Sequence, residues 1–375
     1  MKKRVLFIMP EMRGGGAEKV LVDILKNIDY EIFDVSLLLE FKGNVYWSDI
    51  PKQVNVYCLN GENTLNMQRF HRALRILHCY GIFISIYYRF ILWLKFRRKK
   101  YDTIVSFMEG AAVKLHYYMF SKSEKHISWV HIDLKRKHWS LEYLSKEEEY
   151  FIYKRMAKIV FVSEDAKDAF LSMYDINRDK CVVQYNLIDD KKILELSLSK
   201  LVEKKKFTIC MVGRLNHQKR YDRAIEAVSI LKSRGWDFEM WILGTGELYD
   251  TLKEKCKKYS VDDSVIFKGF VKPAYPYMRV ADVYLNTSEA EGYPLVLCEA
   301  VCLGLPIVAT NITGAREIIG NGNGILVEET ALDIANGLEL LIKDKDYMQH
   351  FKTKSSERAK MFDASNVMQS IYNII

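Results

Sequence analysis

Two glutamates eight residues apart, Glu291 and Glu299, stand in the stretch SEAEGYPLVLCEAVCLGLPIVAT at 288–310. Glu299 is the sole charged residue between Glu291 and Arg316. A carboxylate among apolar neighbours is costly to bury unless something pairs with it or donates hydrogen bonds to it. No lysine or arginine lies within one helical turn of Glu299 along the chain. Either a basic side chain from elsewhere ties it off, or it accepts the vicinal hydroxyls of a sugar such as ribose. Proline is tolerated in a helix's first turn, so Pro294 reads as the first residue of a helix PLVLCEAVCL between the strands VYLNT and PIVAT. The helix start then lies at the carboxyl rim of the strands, where free N–H groups and the helix dipole favour an anion. Glu299 falls one turn, about 5.4 Å, beyond Leu295 on the same face, a fitting offset between a nucleotide's phosphates and its sugar. Ser288-x-x-Glu291 also fits a capping box. A helix capped there would carry Pro294 at its sixth position, at a cost of about 3 kcal/mol.

A second constellation is MVGRLNHQKRYD at 211–222, where Arg214 and Lys219 follow a strand and precede a helix. Two cations at a strand's carboxyl end suit a diphosphate leaving group; the alternative is a pair of solvated loop charges. A third is MRGGGAEKV at 12–20. It is neither G-x-G-x-x-G nor a P-loop, since no Lys-Ser/Thr follows. Consecutive glycines still let a backbone approach a ligand closely, the alternative being an ordinary turn.

Alternating elements must position these residues. The first half carries the apolar runs 4–9, 33–40, 55–60, 102–107, 125–131, 158–163 and 181–186, most of them separated by helix-length segments. After the Lys-rich stretch DDKKILELSLSKLVEKKK the alternation restarts, with runs at 207–212, 237–244, 265–269, 283–287, 306–310 and 324–327. Continuous apolar strands alternating with helices predict buried, mostly parallel sheets. The expectation is an α/β protein of two doubly wound domains in tandem, with ligands at the carboxyl ends of the strands.

With 375 residues, the chain is too long for one ordinary core. Its formal net charge of +8 is compatible with anionic small molecules, membrane surfaces or nucleic acid and decides among none of them. Seven scattered cysteines without C-x-x-C predict buried thiols in a reducing cytoplasm. The eight histidines show no metal-ligand spacing, and no Asp-x-Asp stands in a convincing loop, so no metal is expected. The apolar run Val5–Met9 is too short for a signal peptide, and no run approaches the ~18 apolar residues of a membrane span. The stretch GIFISIYYRFILWLKFRRKK at 81–100 is apolar, aromatic and basic at its end. It suits a helix lying on an anionic inner-leaflet surface, or else a core helix followed by a solvated charge run.

Together these features resemble the retaining GT-B glycosyltransferases of family 4. EGYPLVLCEA matches their E-x7-E motif, GRLNHQK their Arg/Lys diphosphate clamp, and GGGAEKVLVDI their glycine loop; LGTGEL, GFV and ADVYLNTSEAEGYP follow in the family's order. The likeness is strong over about 205–330, and traces such as FVSEDAKDAF and YNLID mark the first half. It implies two Rossmann-like domains facing a cleft. They would be an acceptor-side domain at 1–188, a linker at 189–206, a nucleotide-sugar domain at 207–358, and a final helix over 359–375 packing back on the first.

It further implies that Arg214 and Lys219 bind the donor diphosphate, Glu291 holds hydroxyls of the transferred sugar, and Glu299 holds the ribose. Gly292, Tyr293, Pro294, Leu295 and Val296 would meet the donor, the last two through N–H groups on phosphate. Phe270 and Val271 would line the base, and Gly15 and Gly16 would approach the phosphate. His131 in SWVHIDL is similar to a histidine beside the sugar, although Ile132 separates it from Asp133 where many relatives have His-Asp. Arg220 departs from a glycine that often follows the lysine, adding a cation expected to alter donor preference. The implied reaction transfers a hexose or N-acetylhexosamine from a nucleotide diphosphate sugar, a UDP-sugar by expectation, with retained configuration and front-face attack. No covalent nucleophile and no cofactor are needed. The acceptor is a saccharide, lipid-linked if 81–100 lies on a bilayer, as in surface polysaccharide assembly. Two rivals are a sugar-nucleotide epimerase or hydrolase of related fold and a binding protein without enzymatic activity. No motif supports a nucleic-acid partner.

Overall fold

The computed structural model describes all residues except 13, 44, 62–79, 321, 360, 361 and 363, and only the backbone of 80–84. It divides into two compact units. Unit 1 holds Met1–Leu187 and Ser365–Ile375, and unit 2 holds Ile188–Ala364.

The described strands of unit 1 are β1 (Lys3–Met9), β2 (Phe33–Leu39), β3 (Asn55–Cys58), β4 (Thr103–Ser106), β5 (Lys125–Val130), β6 (Lys158–Phe161) and β7 (Cys181–Val183). Its helices include α1 (Gly16–Asn27), α2 (Tyr80–Phe96), α3 (Ala111–Tyr117), α4 (Lys146–Lys154) and α5 (Glu164–Leu171). Unit 2 begins with α6 (Asp190–Ser197) and continues through β8 (Phe207–Val212), α7 (Tyr221–Ser233), β9 (Phe238–Leu243), α8 (Tyr249–Lys258) and β10 (Val265–Gly269). It goes on with α9 (Tyr275–Val280), β11 (Val283–Asn286), α10 (Leu295–Cys302), β12 (Ile307–Thr310), α11 (Ala315–Ile319) and β13 (Gly324–Val327). Then follow α12 (Ala331–Lys343), α13 (Lys345–Ala359) and α14 (Ala364–Ile374).

Every apolar run read as a strand is one, because residues such as Val5, Phe7, Ile104, Ile127, Ile209 and Val308 are fully buried and face helices on both sides. The sheet orders are β3-β2-β1-β4-β5-β6-β7 and β10-β9-β8-β11-β12-β13, with every described pairing parallel. Both orders reverse at one point, between β1 and β4 and between β8 and β11. Connections leave that point in opposite directions, which opens a crevice at the carboxyl ends.

The stretch read as a linker is partly structured. Asp189 accepts a hydrogen bond from the Lys192 N–H and caps α6, which buries Ile193 and Ser197 and packs on α9 and α10. Its charge hid a short amphipathic pattern. The segment 81–100 is two-sided. Tyr88, Leu92 and Phe96, four apart, enter the core beside Leu6, Ile8 and Leu38. Ile86, Tyr87, Phe90, Trp93 and Leu94 stay exposed on the rest of the helix. α14 packs against unit 1, where Tyr372 lies beside the Phe33 ring and its Oη accepts from the Asp29 N–H at 2.9 Å.

Candidate active site

In unit 2 the two loops at the reversal point are bonded to each other. The β8 loop forms a short turn at 217–219 capped by Asn216, whose side chain accepts from the Lys219 N–H. Thr287, just after β11, donates to the Lys219 carbonyl at 2.8 Å. Gln218 Nε2 donates to the Ala290 carbonyl at 2.7 Å, and the Glu289 N–H donates to the Gln218 carbonyl at 2.9 Å. These bonds set Lys219 against Glu291, with Nζ 2.5 Å from Oε1 and both side chains mostly shielded. A small recess lined by Val212, Lys219, Asn286, Ser288 and Val296 opens beside them. Arg214 lies on the same loop and is exposed.

Backbone contacts hold this arrangement close. Gly314 has a left-handed φ of 75°, and a Cβ there would stand 2.2 Å from the Gly292 carbonyl oxygen. At Gly244, of LGTGEL, a Cβ would stand 1.8 Å from the Gly213 carbonyl oxygen. Only glycine permits either approach. The Gly244 N–H also bonds the Gly269 carbonyl at 2.8 Å, which joins the end of β10 to the same loop system.

The helix after Glu291 starts one residue later than its sequence predicts. Pro294 is the cap, with φ −68° and ψ 106°, and α10 runs from Leu295. Ser288 therefore caps nothing in α10. Its carbonyl accepts from Thr310 and its N–H donates to Asn286. The N–H groups of Leu295 and Val296 fall in the first turn, ahead of the helix's own ladder, and the dipole points its positive end there. Glu299 is 6 % exposed in α10, and its Oε1 accepts from the Tyr275 hydroxyl at 3.2 Å. Tyr275 begins α9, six residues after β10. Phe270 directly follows β10 and is 61 % exposed, and Val271 is half-buried.

The cation expected from Arg220 is engaged within the protein. Arg220 has a left-handed φ of 49°, which accounts for glycine being suited to that position. Its guanidinium forks onto Asp222 at 3.0 and 2.9 Å and reaches Glu289 at 3.4 Å. Burial acts to raise the Asp222 pKa, but the Arg220 hydrogen bonds and charge outweigh it and hold the carboxyl below its usual range. Arg220 thus braces the loop of Glu291 against that of Lys219.

Unit 1 presents Gly15 and Gly16 beyond β1, at its own reversal point, and His131 beyond β5, the neighbour of β4. Gly15 caps α1 and Gly16 is its first residue. The carboxylate of Glu18, in the first turn, lies against Gly15, so this helix start already meets an anionic group. Arg13 of the glycine loop lies outside the described residues. His131 follows β5, and its ring packs 4.9 Å from that of Phe107. The residue keeps some exposure, but Nε2 is out of contact with solvent and has no hydrogen-bond partner. Burial drives its pKa down to about 3, against a smaller opposing effect of the Phe107 carbonyl, so the imidazole is neutral.

Sequence reading passed over Glu109, in SFMEGAAV just beyond β4. It is 3 % exposed and accepts from the His131 N–H at 3.0 Å and Trp139 Nε1 at 2.9 Å. The signal was the one that marked Glu299, a lone acid in an apolar run after a strand.

Two family models together span most of the chain. Residues 14–192 match Glycosyltransferase Family 4 and residues 195–358 match Glycosyl transferases group 1. An uncharacterized glycosyltransferase of Haemophilus influenzae is 26 % identical, covering 100 % of this chain and 97 % of that one. The Campylobacter jejuni N-acetylgalactosamine-N,N'-diacetylbacillosaminyl-diphospho-undecaprenol 4-alpha-N-acetylgalactosaminyltransferase is 31 % identical over 56 % of this chain and 58 % of its own. Among solved structures, Anabaena HepE in complex with UDP and glucose superimposes with a TM-score of 0.74 at 20 % identity, over 98 % of each chain. With a glycosyltransferase model on each half, two parallel-sheet units that reverse at one point, and relatives along its whole length, the chain belongs to the group 1 glycosyltransferases of GT-B fold.

Proposed function

We propose that the enzyme transfers a hexose or N-acetylhexosamine, with retained configuration, from a UDP-sugar to a lipid-linked saccharide in surface polysaccharide assembly. The observation that carries the reading is the Lys219–Glu291 pair, set at the β8/β11 reversal beside the start of α10. Charge develops on the departing diphosphate. Lys219, Arg214 and the Leu295 and Val296 N–H groups stabilise it in place of a divalent cation. On donor binding, Lys219 turns from Glu291 to the phosphate, which leaves Glu291 to accept sugar hydroxyls. Gly292, Tyr293 and Pro294 carry the chain from that acid to the helix start. Glu299, oriented by Tyr275, accepts the ribose hydroxyls, and Phe270 and Val271 flank the base. Gly15 and Gly16 approach the phosphate, and neutral His131 stands beside the transferred sugar. The UDP and glucose held by the Anabaena neighbour support the choice of donor.

A lipid-linked acceptor, met at the inner leaflet by a cytoplasmic enzyme, is supported by the name of the Campylobacter relative and by α2. Phe90 and Trp93 stack on its exposed side, and Arg97 lies over Trp93 with Arg98 beside it. Aromatic groups with flanking cations suit an anionic headgroup layer. No helix among the described residues is long and apolar enough to cross a membrane.

Thermal-shift screening against UDP-, GDP- and ADP-sugars tests the donor, since a ligand that binds the folded state raises the melting temperature. A shift with UDP-sugars, followed by NMR of the product's anomeric centre showing the donor's configuration, is the expected result. An inverted product overturns the retaining mechanism. Flotation with vesicles containing phosphatidylglycerol tests α2: Phe90→Glu/Trp93→Glu should abolish binding while leaving the melting temperature near wild type.

A further inference from the structure

A fully buried carboxylate persists only where donors surround it. Glu109 meets this with two neutral donors from separate places. Its Oε2 takes the backbone N–H of His131, the first residue past β5, and its Oε1 takes Trp139 Nε1, eight residues on. Burial raises the Glu109 pKa, and these two hydrogen bonds oppose that rise. β4 and β5 are adjacent, and β4 flanks the reversal point, so the acid spans the ends of two central strands. The loop beyond is built with similar care: Asp133 Oδ1 accepts the N–H groups of Lys135 and Arg136, and Lys114 Nζ holds the Tyr143 carbonyl.

What this scaffold holds is the His131 ring. The ring packs on Phe107, with its Nε2 sealed from solvent and without a hydrogen-bond partner, so the surrounding protein atoms fix the ring plane.

We infer that Glu109 is a positioning residue for transfer, fixing the backbone of His131 and the Trp139 loop so that the imidazole keeps its seat on Phe107. This rests on the proposed sugar-side role of His131 and adds the residue that sets it. Glu109 itself touches no substrate. Its effect is geometric, and a displacement of about 1 Å at a reacting centre lowers rates by about 10²-fold.

The test uses the full-length protein with Glu109→Gln, Glu109→Ala and His131→Asn. The first readout needs no substrate: long-range 1H–15N imidazole spectra, with His131 assigned by its loss in His131→Asn. Wild type should show one neutral tautomer. Glu109→Ala should show exchange between tautomers, and Glu109→Gln, which keeps one acceptor oxygen, should lie nearer wild type. An unchanged His131 spectrum in Glu109→Ala overturns the inference. The second readout is initial-rate kinetics with UDP-glucose and UDP-N-acetylglucosamine. The expected result is a fall in kcat of about 10- to 100-fold in Glu109→Ala, with KM within about twofold and partial recovery in Glu109→Gln. A rise in KM at constant kcat also overturns it. If wild type turns over neither donor, the proposed function is at fault and the imidazole spectrum still decides the role of Glu109. If Glu109→Ala does not fold, the nearly isosteric Glu109→Gln carries both readouts, and wild-type behaviour in both then overturns the inference.

Discussion

The two reversal points share a topology and differ in how their acids are held. In unit 2 the carboxylates are matched to cations: Glu291 to Lys219, and Asp222 and Glu289 to Arg220. In unit 1 Glu109, just past β4, is held by neutral donors, a backbone N–H and an indole. An ion pair can exchange partners when a phosphate arrives, because the ligand replaces one anion with another. A carboxylate fixed by neutral donors has no such exchange and serves as framework or as a hydroxyl acceptor. Similar strand orders thus carry one rim of ion pairs and one rim with a carboxylate on neutral donors, which is why function is read from side chains and not from fold.

Lys219→Ala should lower kcat by about 10²- to 10³-fold in initial-rate assays, the range for removing a group that stabilises developing charge. Turnover within threefold of wild type would mean that unit 2's cations are framework too. Glu299→Ala should weaken UDP binding by about 10- to 100-fold in calorimetry, as expected for lost hydrogen bonds to a charged acceptor, with kcat at saturation less affected. Unaltered affinity assigns that acid to contacts within the protein, among them the Tyr275 hydroxyl. Gly314→Ala should cost about 1–3 kcal/mol of stability through its left-handed φ and the Gly292 carbonyl, measured by urea unfolding. A neutral result would show that the two loops move apart freely.

The smallest effect sharpens unit 1. His131 is lowered to about 3 and His116 well below its ordinary value, in both cases by burial first. Below pH 6.5 the unfolded chain gains protons that these folded imidazoles refuse, so stability falls as pH drops from about 6.5 toward 3. Glu109, raised by burial, acts in the opposite sense, since acid relieves its charge. The melting temperature should therefore decline gently from pH 7 to pH 5, and His116→Gln should flatten the decline. A wild-type curve already level over that range contradicts the assignment.

Apolar runs made the strands legible, because parallel strands buried on both faces leave little room for other residues. The loops of unit 2 were legible through Glu291, Glu299 and Lys219, whose spacing survives as sequence. The bracing was not. Arg220 reaches Glu289 across 69 residues, and its backbone conformation has no signature in a single sequence. Pro294 as cap rather than first helical residue is a one-residue shift within the tolerance of any boundary. Glu109 was missed because one acid in SFMEGAAV gains meaning only when β4 lies at the reversal point.

α14 belongs to unit 1 although 177 residues of unit 2, Ile188–Ala364, precede it. During synthesis on the ribosome, Phe33 and the Asn27 and Asp29 backbone must therefore wait for Tyr372 until the rest of the polypeptide has emerged. The nascent amino-terminal half is left with an uncovered greasy face through that delay, and shortening the tail at Ser365 would make the exposure permanent in the half of the molecule farthest from the cut along the chain.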